Sequence, residues 1–175
     1  EPAAEEWILG MLATNPVIVS WVEQLLGEGV VNARLNPERI RGIYCQLPMG
    51  DLPEKPTRCH CDVSPDMDTS QKREAVLQPG MGVVGLIAPI PPHGGAFTVW
   101  PGTHRIIYDL LASTEGQERI DAYKARIIEF NDDPRVEGHG EAGDILLWHQ
   151  LTAHTAGQNR SEQIQLREAV LTDYK

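Results

Sequence analysis

The five residues Arg58-Cys59-His60-Cys61-Asp62 constrain the fold of this chain more than any other stretch. They hold a His-x-Asp pair. In a β-strand the side chains at i and i+2 leave the same face, about 6.5–7 Å apart along the strand. On a helix the same spacing turns them away from each other. An imidazole and a carboxylate can therefore converge on one metal ion from a short extended segment. A third donor must come from elsewhere, and His154 in Leu151-Thr152-Ala153-His154-Thr155-Ala156-Gly157-Gln158-Asn159 offers it. The fold must then carry residue 154 to residues 60 and 62. Two histidines and one carboxylate, with the remaining positions open, form the facial triad of non-heme Fe(II) oxygenases.

The rest of the chain is patterned for such a fold. Residues 39–47, 81–90, 96–100, 135–139, 145–150 and 164–174 are short apolar or alternating runs bounded by turn residues, and they predict strands. The segment bearing His60 and Asp62 is expected to be another. Helices are predicted over 5–14, 16–26, 104–112 and about 116–129. In the second, Asn15 is a natural N-cap, Pro16 follows at the first helical position and Gly27 is a stop. Its stripe Ile18, Trp21, Val22 and Leu25 suits packing on the outside of a sheet. Thr103 is a candidate cap for the third. Ile107, Leu110 and Leu111 share one face there, as do Ile120, Tyr123, Ile127 and Phe130 in the fourth. Segments 28–38, 48–57 and 64–79 read as loops, and one that follows metal ligands can serve as a substrate lid.

Seven or so short strands predict an all-β barrel or jelly roll carrying helices. The two ligand segments would then face each other across the barrel mouth. At 175 residues the chain is expected to be one domain. Its helical N-terminal part covers residues 1–30, its jelly-roll core about 39–174, and a helical insertion about 103–130 packs on the barrel exterior.

Charge and cysteine content exclude several classes. The net charge of −10 argues against nucleic-acid backbones and anionic membrane surfaces as partners. No stretch is apolar enough to span a membrane, and the opening Glu-Pro-Ala-Ala-Glu-Glu has no signal-peptide pattern. With no initiator Met, a trimmed chain is expected. Three cysteines with no secretory context predict reduced thiols and a cytoplasmic protein. Cys59 and Cys61 flank His60, but a structural zinc site needs a second paired element, which the chain lacks. If His60 and Asp62 face inward on a strand, both thiols face away.

Three protein donors leave three positions on an octahedral metal. A 2-oxo acid can fill two and O₂ the third, with the protein supplying orientation and exclusion of water. The far carboxylate of such an acid needs a cation. Arg167 is the candidate, on the strand after His154, with Ala169 and Leu171 at matching parity; Leu166 and Val170 make the other face apolar too, so periodicity leaves the strand's orientation open. Arg160 is its rival, in a turn where a solvated arginine is the simpler expectation. His104 is expected to be structural, His149 lies five residues before His154 and could be mistaken for a ligand, and His93 and His139 are expected to be exposed in turns. Trp100 and Trp148 read as core, and Asp144 as binding local backbone amides.

The blocks His60-x-Asp62, Gly94-Gly95-Ala96-Phe97-Thr98-Val99-Trp100-Pro101-Gly102-Thr103-His104, Gly143-Asp144-Ile145-Leu146-Leu147-Trp148-His149, and His154 with Asn159, Ser161 and Arg167 resemble, in order and spacing, the phytanoyl-CoA dioxygenase family. The resemblance covers roughly residues 40–174. It implies a double-stranded β-helix, a jelly roll of cupin-like type, with flanking helices. It also implies Fe(II) held by His60, Asp62 and His154, and 2-oxoglutarate held by Arg167. The implied reaction hydroxylates an unactivated C–H of a small molecule with O₂, while 2-oxoglutarate is decarboxylated to succinate. Asp62 sets the chain apart from halogenating relatives, in which a small residue at that position leaves room for chloride. The chain is shorter than typical members. Two other functions fit the residues: a cupin-like metalloenzyme without 2-oxoglutarate, which would not need Arg167, and a non-catalytic jelly-roll binding module with His60 and His154 as core.

Overall fold

A computed structural model describes residues 12, 14–31, 40–53, 58–63, 80–162 and 165–174. The predicted helix 5–14, apart from helical residues 12 and 14, the predicted loop 64–79, parts of the predicted loops 28–38 and 48–57, and the start of the strand predicted over 164–174 lie outside them. The described elements run in the order α1 (Pro16–Leu26), β1 (Ile40–Gln46), β2 (Met81–Leu86), β3 (Phe97–Val99), α2 (Thr103–Ser113), α3 (Gly116–Phe130), β4 (Val136–Gly138), β5 (Ile145–His149), β6 (His154–Ala156) and β7 (Arg167–Tyr174).

Two antiparallel sheets form a jelly roll. One has strand order β1-β7-β2-β5 and the other β4-β3-β6. The register of the larger sheet sorts its side chains. Val84 pairs with Leu171 and Leu86 with Ala169 across β2 and β7, and Val84 pairs with Leu146 on β5. Side chains directly opposite one another share a face. That face buries Val84, Leu86, Trp148 and Ala169 against Ala96 and Phe97 of the smaller sheet, and this is the barrel core. Gly82 lies opposite Trp148. A Cβ on Gly82 would stand 2.0 Å from the Trp148 ring, so only glycine leaves the indole its place.

Helix α1 covers the other face of the large sheet. Asn15 caps it by accepting the Val17 N–H at 2.9 Å, and Gly27 ends it at φ 119°. Ile18 and Val22 are buried with Met81, Val83 and Tyr174. Only half of the predicted stripe is covered, because Trp21 and Leu25 remain 43% and 62% exposed.

Helices α2 and α3 are the predicted insertion between β3 and β4, and they pack on one end of the barrel. Ile107, Leu111, Tyr123 and Phe130 bury against Trp100, Leu151 and the two cysteines. The cap of α2 differs from expectation. Gly102, in the left-handed region at φ 84°, is the N-cap, and Thr103 lies inside the helix. Thr103 is buried instead as a tie, donating its hydroxyl to the Trp100 carbonyl (2.7 Å) and accepting the Ala153 N–H (2.9 Å). The helix pattern also passes over Arg119, which is buried and donates Nε and an Nη to the Thr114 carbonyl.

The predicted strand at His60 is shorter than expected. It forms a single antiparallel bridge, His60 to His154. Both backbone hydrogen bonds of the pair are made, His60 N to His154 O at 3.0 Å and the reverse at 2.8 Å. The two ligand segments are therefore hydrogen-bonded neighbours along the edge of the smaller sheet. They do not face each other across the mouth.

Candidate metal centre

His60, Asp62 and His154 come together. Each offers one donor atom, and these atoms all lie within 4.8 Å of one another. His154 Nε2 is 3.5 Å from Asp62 Oδ2, and the two side chains are only 4% and 7% exposed. His60 is the exposed member. The bridge fixes the first and third donors to each other through the backbone. Asp62 is held by its N–H, which donates to the Gln150 carbonyl at 3.0 Å.

Two further contacts prepare the donors. His154 Nδ1 lies 2.8 Å from the Thr152 carbonyl, which can only accept. The ring proton therefore sits on Nδ1, and Nε2 keeps its lone pair towards Asp62 and His60. The Trp148 indole donates to Asp62 Oδ2 at 3.2 Å. Phe97 stacks on His154 at 5.1 Å between centroids and meets Trp148 at 4.5 Å, forming an apolar wall beside the donors. Hydrophobic patterning assigns Trp148 to the core, and it is buried there. Its second role at Asp62 has no signal in the periodicity. The same is true of Thr152, which acts through its backbone.

The cysteines face the other way, as the alternation requires. Cys59 Sγ donates to the Ile127 carbonyl (3.4 Å) and Cys61 Sγ to the Leu151 carbonyl (3.2 Å). Their backbone N–H groups are bound by Asn131 Oδ1 and the Tyr123 hydroxyl. Burial pushes the Cys61 thiol up to about 12 and raises that of Cys59.

Arg167 is buried at 4% exposure on β7, opposite Gln46 of β1 and at the parity of Ala169. Its Nε has no hydrogen-bond partner among the described residues. Burial lowers its pKa from the usual arginine range. Arg160 donates from Nη2 to the Leu52 carbonyl at 2.9 Å, and its buried Nε likewise has no hydrogen-bond partner among the described residues. Asp144 Oδ2 accepts the Glu141 N–H, as predicted for a turn aspartate. His93 is 76% exposed and lies 3.4 Å from Glu137. His149 is apart from the triad, its Nδ1 accepting the Leu151 N–H at 3.1 Å.

An antiparallel jelly roll with two imidazoles and a carboxylate gathered at one end defines a mononuclear metal centre of the non-heme iron class. The phytanoyl-CoA dioxygenase (PhyH) family model matches residues 8–169, and the chain belongs to that family. The donor set fits the Fe(II) and 2-oxoglutarate of such an oxygenase. No curated protein matches the chain. Among solved structures it is similar to the non-heme alpha-ketoglutarate-dependent carbocyclase SnoK from nogalamycin biosynthesis, at 20% identity and TM-score 0.58, covering 94% of this chain and 56% of that one. The epimerase SnoN, in complex with Fe3+, alpha-ketoglutarate and nogalamycin RO, is similar at 22% identity and TM-score 0.57, over 94% and 57% of the two chains. EvdO2 from Micromonospora carbonacea var. aurantiaca is similar at 16% identity and TM-score 0.53, over 97% and 63%. The chain thus spans less than two thirds of the length of these relatives. No described helix is long and apolar enough to cross a membrane.

Proposed function

We propose that this chain is an Fe(II)- and 2-oxoglutarate-dependent oxygenase that hydroxylates an unactivated C–H of a small molecule. His60, Asp62 and His154 are its metal ligands, and Arg167 binds the far carboxylate of 2-oxoglutarate. The observation that carries this reading is the gathering of three donor atoms within 4.8 Å, one of them in a fixed tautomer. When bound, Fe(II) with 2-oxoglutarate and O₂ supplies the oxidant for C–H cleavage, and the co-substrate leaves as succinate and CO₂.

The chain's own residues do the rest. Thr152 holds His154 with its Nε2 lone pair free. Trp148 pins Asp62 Oδ2, so the carboxylate is oriented before any metal arrives. Phe97 and Trp148 keep water from one side of the centre, while the exposed His60 side is left for substrate. Arg167 supplies a buried cation with donor capacity to spare, and a dicarboxylate needs one in a chain of net charge −10. An enzyme without 2-oxoglutarate would have no use for this arginine, and a mere binding module none for the prepared imidazole. Carbocyclase and epimerase activities belong to the two Sno relatives, so product identity must be measured here. Three unpaired thiols support a reducing, cytoplasmic setting.

Anaerobic titration with Fe(II) and then 2-oxoglutarate tests the assignment. A visible charge-transfer band should appear only when both are present, followed by succinate release on admitting O₂. Iron binding without any response to 2-oxoglutarate would leave the cupin-like metalloenzyme. No iron binding at all would leave the binding module.

A further inference from the structure

A cavity of about 280 Å³ is lined by His104, Arg105, Tyr108, Asp109 and His149. Hydrogen bonds tie its lining to the segments that carry the triad. His149 closes β5, and the next residue, Gln150, accepts the Asp62 N–H at 3.0 Å. Helix α2 follows β3, whose last residue Val99 pairs with His154, and Thr103 ties the start of α2 to Ala153. The volume is below the range for a whole drug-sized ligand, so the cavity suits one polar end of a molecule.

We propose that this cavity binds an anionic group, a carboxylate or a phosphate, on the substrate of the proposed oxygenase. The chemistry of the lining selects an anion over a cation. His149 Nδ1 accepts the Leu151 N–H, so its ring proton is on Nε2 and that nitrogen has no lone pair for a metal. Burial, and the neighbouring His104 with its ring centroid 5.8 Å away, lower the His149 pKa and keep the ring neutral with its N–H in place. Arg105 brings a fixed positive charge, and Tyr108 a hydroxyl donor. Asp109 is the one carboxylate of the lining, four residues along the same helix from Arg105.

This assignment rests on the oxygenase reading for its substrate, but the anion site can be tested without it. The metal-free protein is titrated with inorganic phosphate and, separately, with butyrate, while the assigned ring ¹⁵N resonances of His104 and His149 are followed by NMR. Saturable shifts in either titration support the site, and the tighter probe identifies the anion's class. Arg105→Gln should weaken binding about tenfold or more, as loss of a charge-assisted hydrogen bond does. Asp109→Asn should tighten it by about threefold, because a like charge is removed. Both residues are exposed, so both variants should fold. Asp62→Ala should leave the shifts intact even as it disables the metal centre. Absent or non-saturable shifts would overturn the proposal. So would weaker binding in Asp109→Asn, which places the anion away from that carboxylate, or markedly tighter binding in Asp62→Ala, which places the anion among the triad's imidazoles. Persistent shifts in a protein that never binds iron would refute the oxygenase reading alone.

Discussion

Arg167→Met should have opposite effects on stability and on function. The arginine is 4% exposed, and its Nε has no partner among the described residues. A guanidinium cannot shed its charge in a protein, so the folded state carries the desolvation cost of a buried ion whose Nε is unpaired among the described residues. An unsatisfied buried group costs about 1–3 kcal/mol, and more when charged. Methionine keeps most of the length and adapts to the space around Ala169. The cofactor-free variant should therefore be more stable by about 2 kcal/mol, a rise in Tm of roughly 4–8 °C for a chain of this size. Binding of 2-oxoglutarate should suffer. Truncating one side of a buried charge pair costs about 2–5 kcal/mol, or about 30-fold and upward in KM at 1.4 kcal/mol per decade. Differential scanning calorimetry, with and without Mn(II) and 2-oxoglutarate, reads both effects. The wild type should gain stability from the co-substrate by mass action, and the variant should not. A variant that melts earlier than wild type and still responds fully to 2-oxoglutarate would refute this account, and Arg160 would then be the cation to examine.

Three other outcomes follow from the metal centre. Asp62→Ala removes the only anionic donor of the triad, so it should abolish stoichiometric Fe(II) or Mn(II) binding while the circular dichroism spectrum stays native. Trp148→Phe keeps an aromatic ring beside Phe97 but loses the N–H to Asp62, so metal affinity by calorimetric titration should fall about 10–100-fold. An unchanged affinity accompanied by a lower Tm would assign the indole to packing alone. Iodoacetamide at pH 8 should label Cys45, which is exposed, and spare Cys59 and Cys61 until the chain unfolds. Burial raises both pKa values, that of Cys61 to about 12, so the reactive thiolate is scarce at pH 8 and grows only as pH rises towards those values. Mass spectrometry of the native protein should show one adduct, and early labelling of Cys61 would contradict its packing.

The parts of this molecule that are legible in its sequence are those governed by local periodicity. The alternation at 58–62 separates the triad side chains from the two thiols that face the other way; the strand bearing Arg167 is apolar on both faces, so its inward face follows from pairing and not from periodicity. Asn15, Pro16 and Gly27 mark α1 because a cap, a preset φ and a left-handed stop are each tied to a residue type. Long-range pairing is not encoded in that way. Nothing local to His60 states that its neighbour is His154, so the ligand segments are misplaced across the barrel until the bridge is seen. Trp148 shows the same limit. Its apolar ring predicts burial, but its N–H partner lies 86 residues away and depends on the whole topology. Thr103 resembles a cap by type, yet Gly102 takes that place because the turn out of β3 requires a positive φ.

The ribbon that carries His60 and Asp62 has two landlords. One edge belongs to the sheet, through the bridge to His154. The opposite side belongs to the insertion, since Asn131 and Tyr123 accept the N–H groups of Cys59 and Cys61, the residues immediately before the two ligands. The insertion is thus an abutment for the metal centre rather than an ornament on the barrel. An engineer who trimmed the chain to its strands by excising residues 103–131, the insertion with its C-cap Asn131, would strip both amides of their acceptors and expose the face on which the thiols rest. An engineer who grafted the insertion of a relative would have to supply an oxygen at each of those two points, or accept a looser grip on the metal.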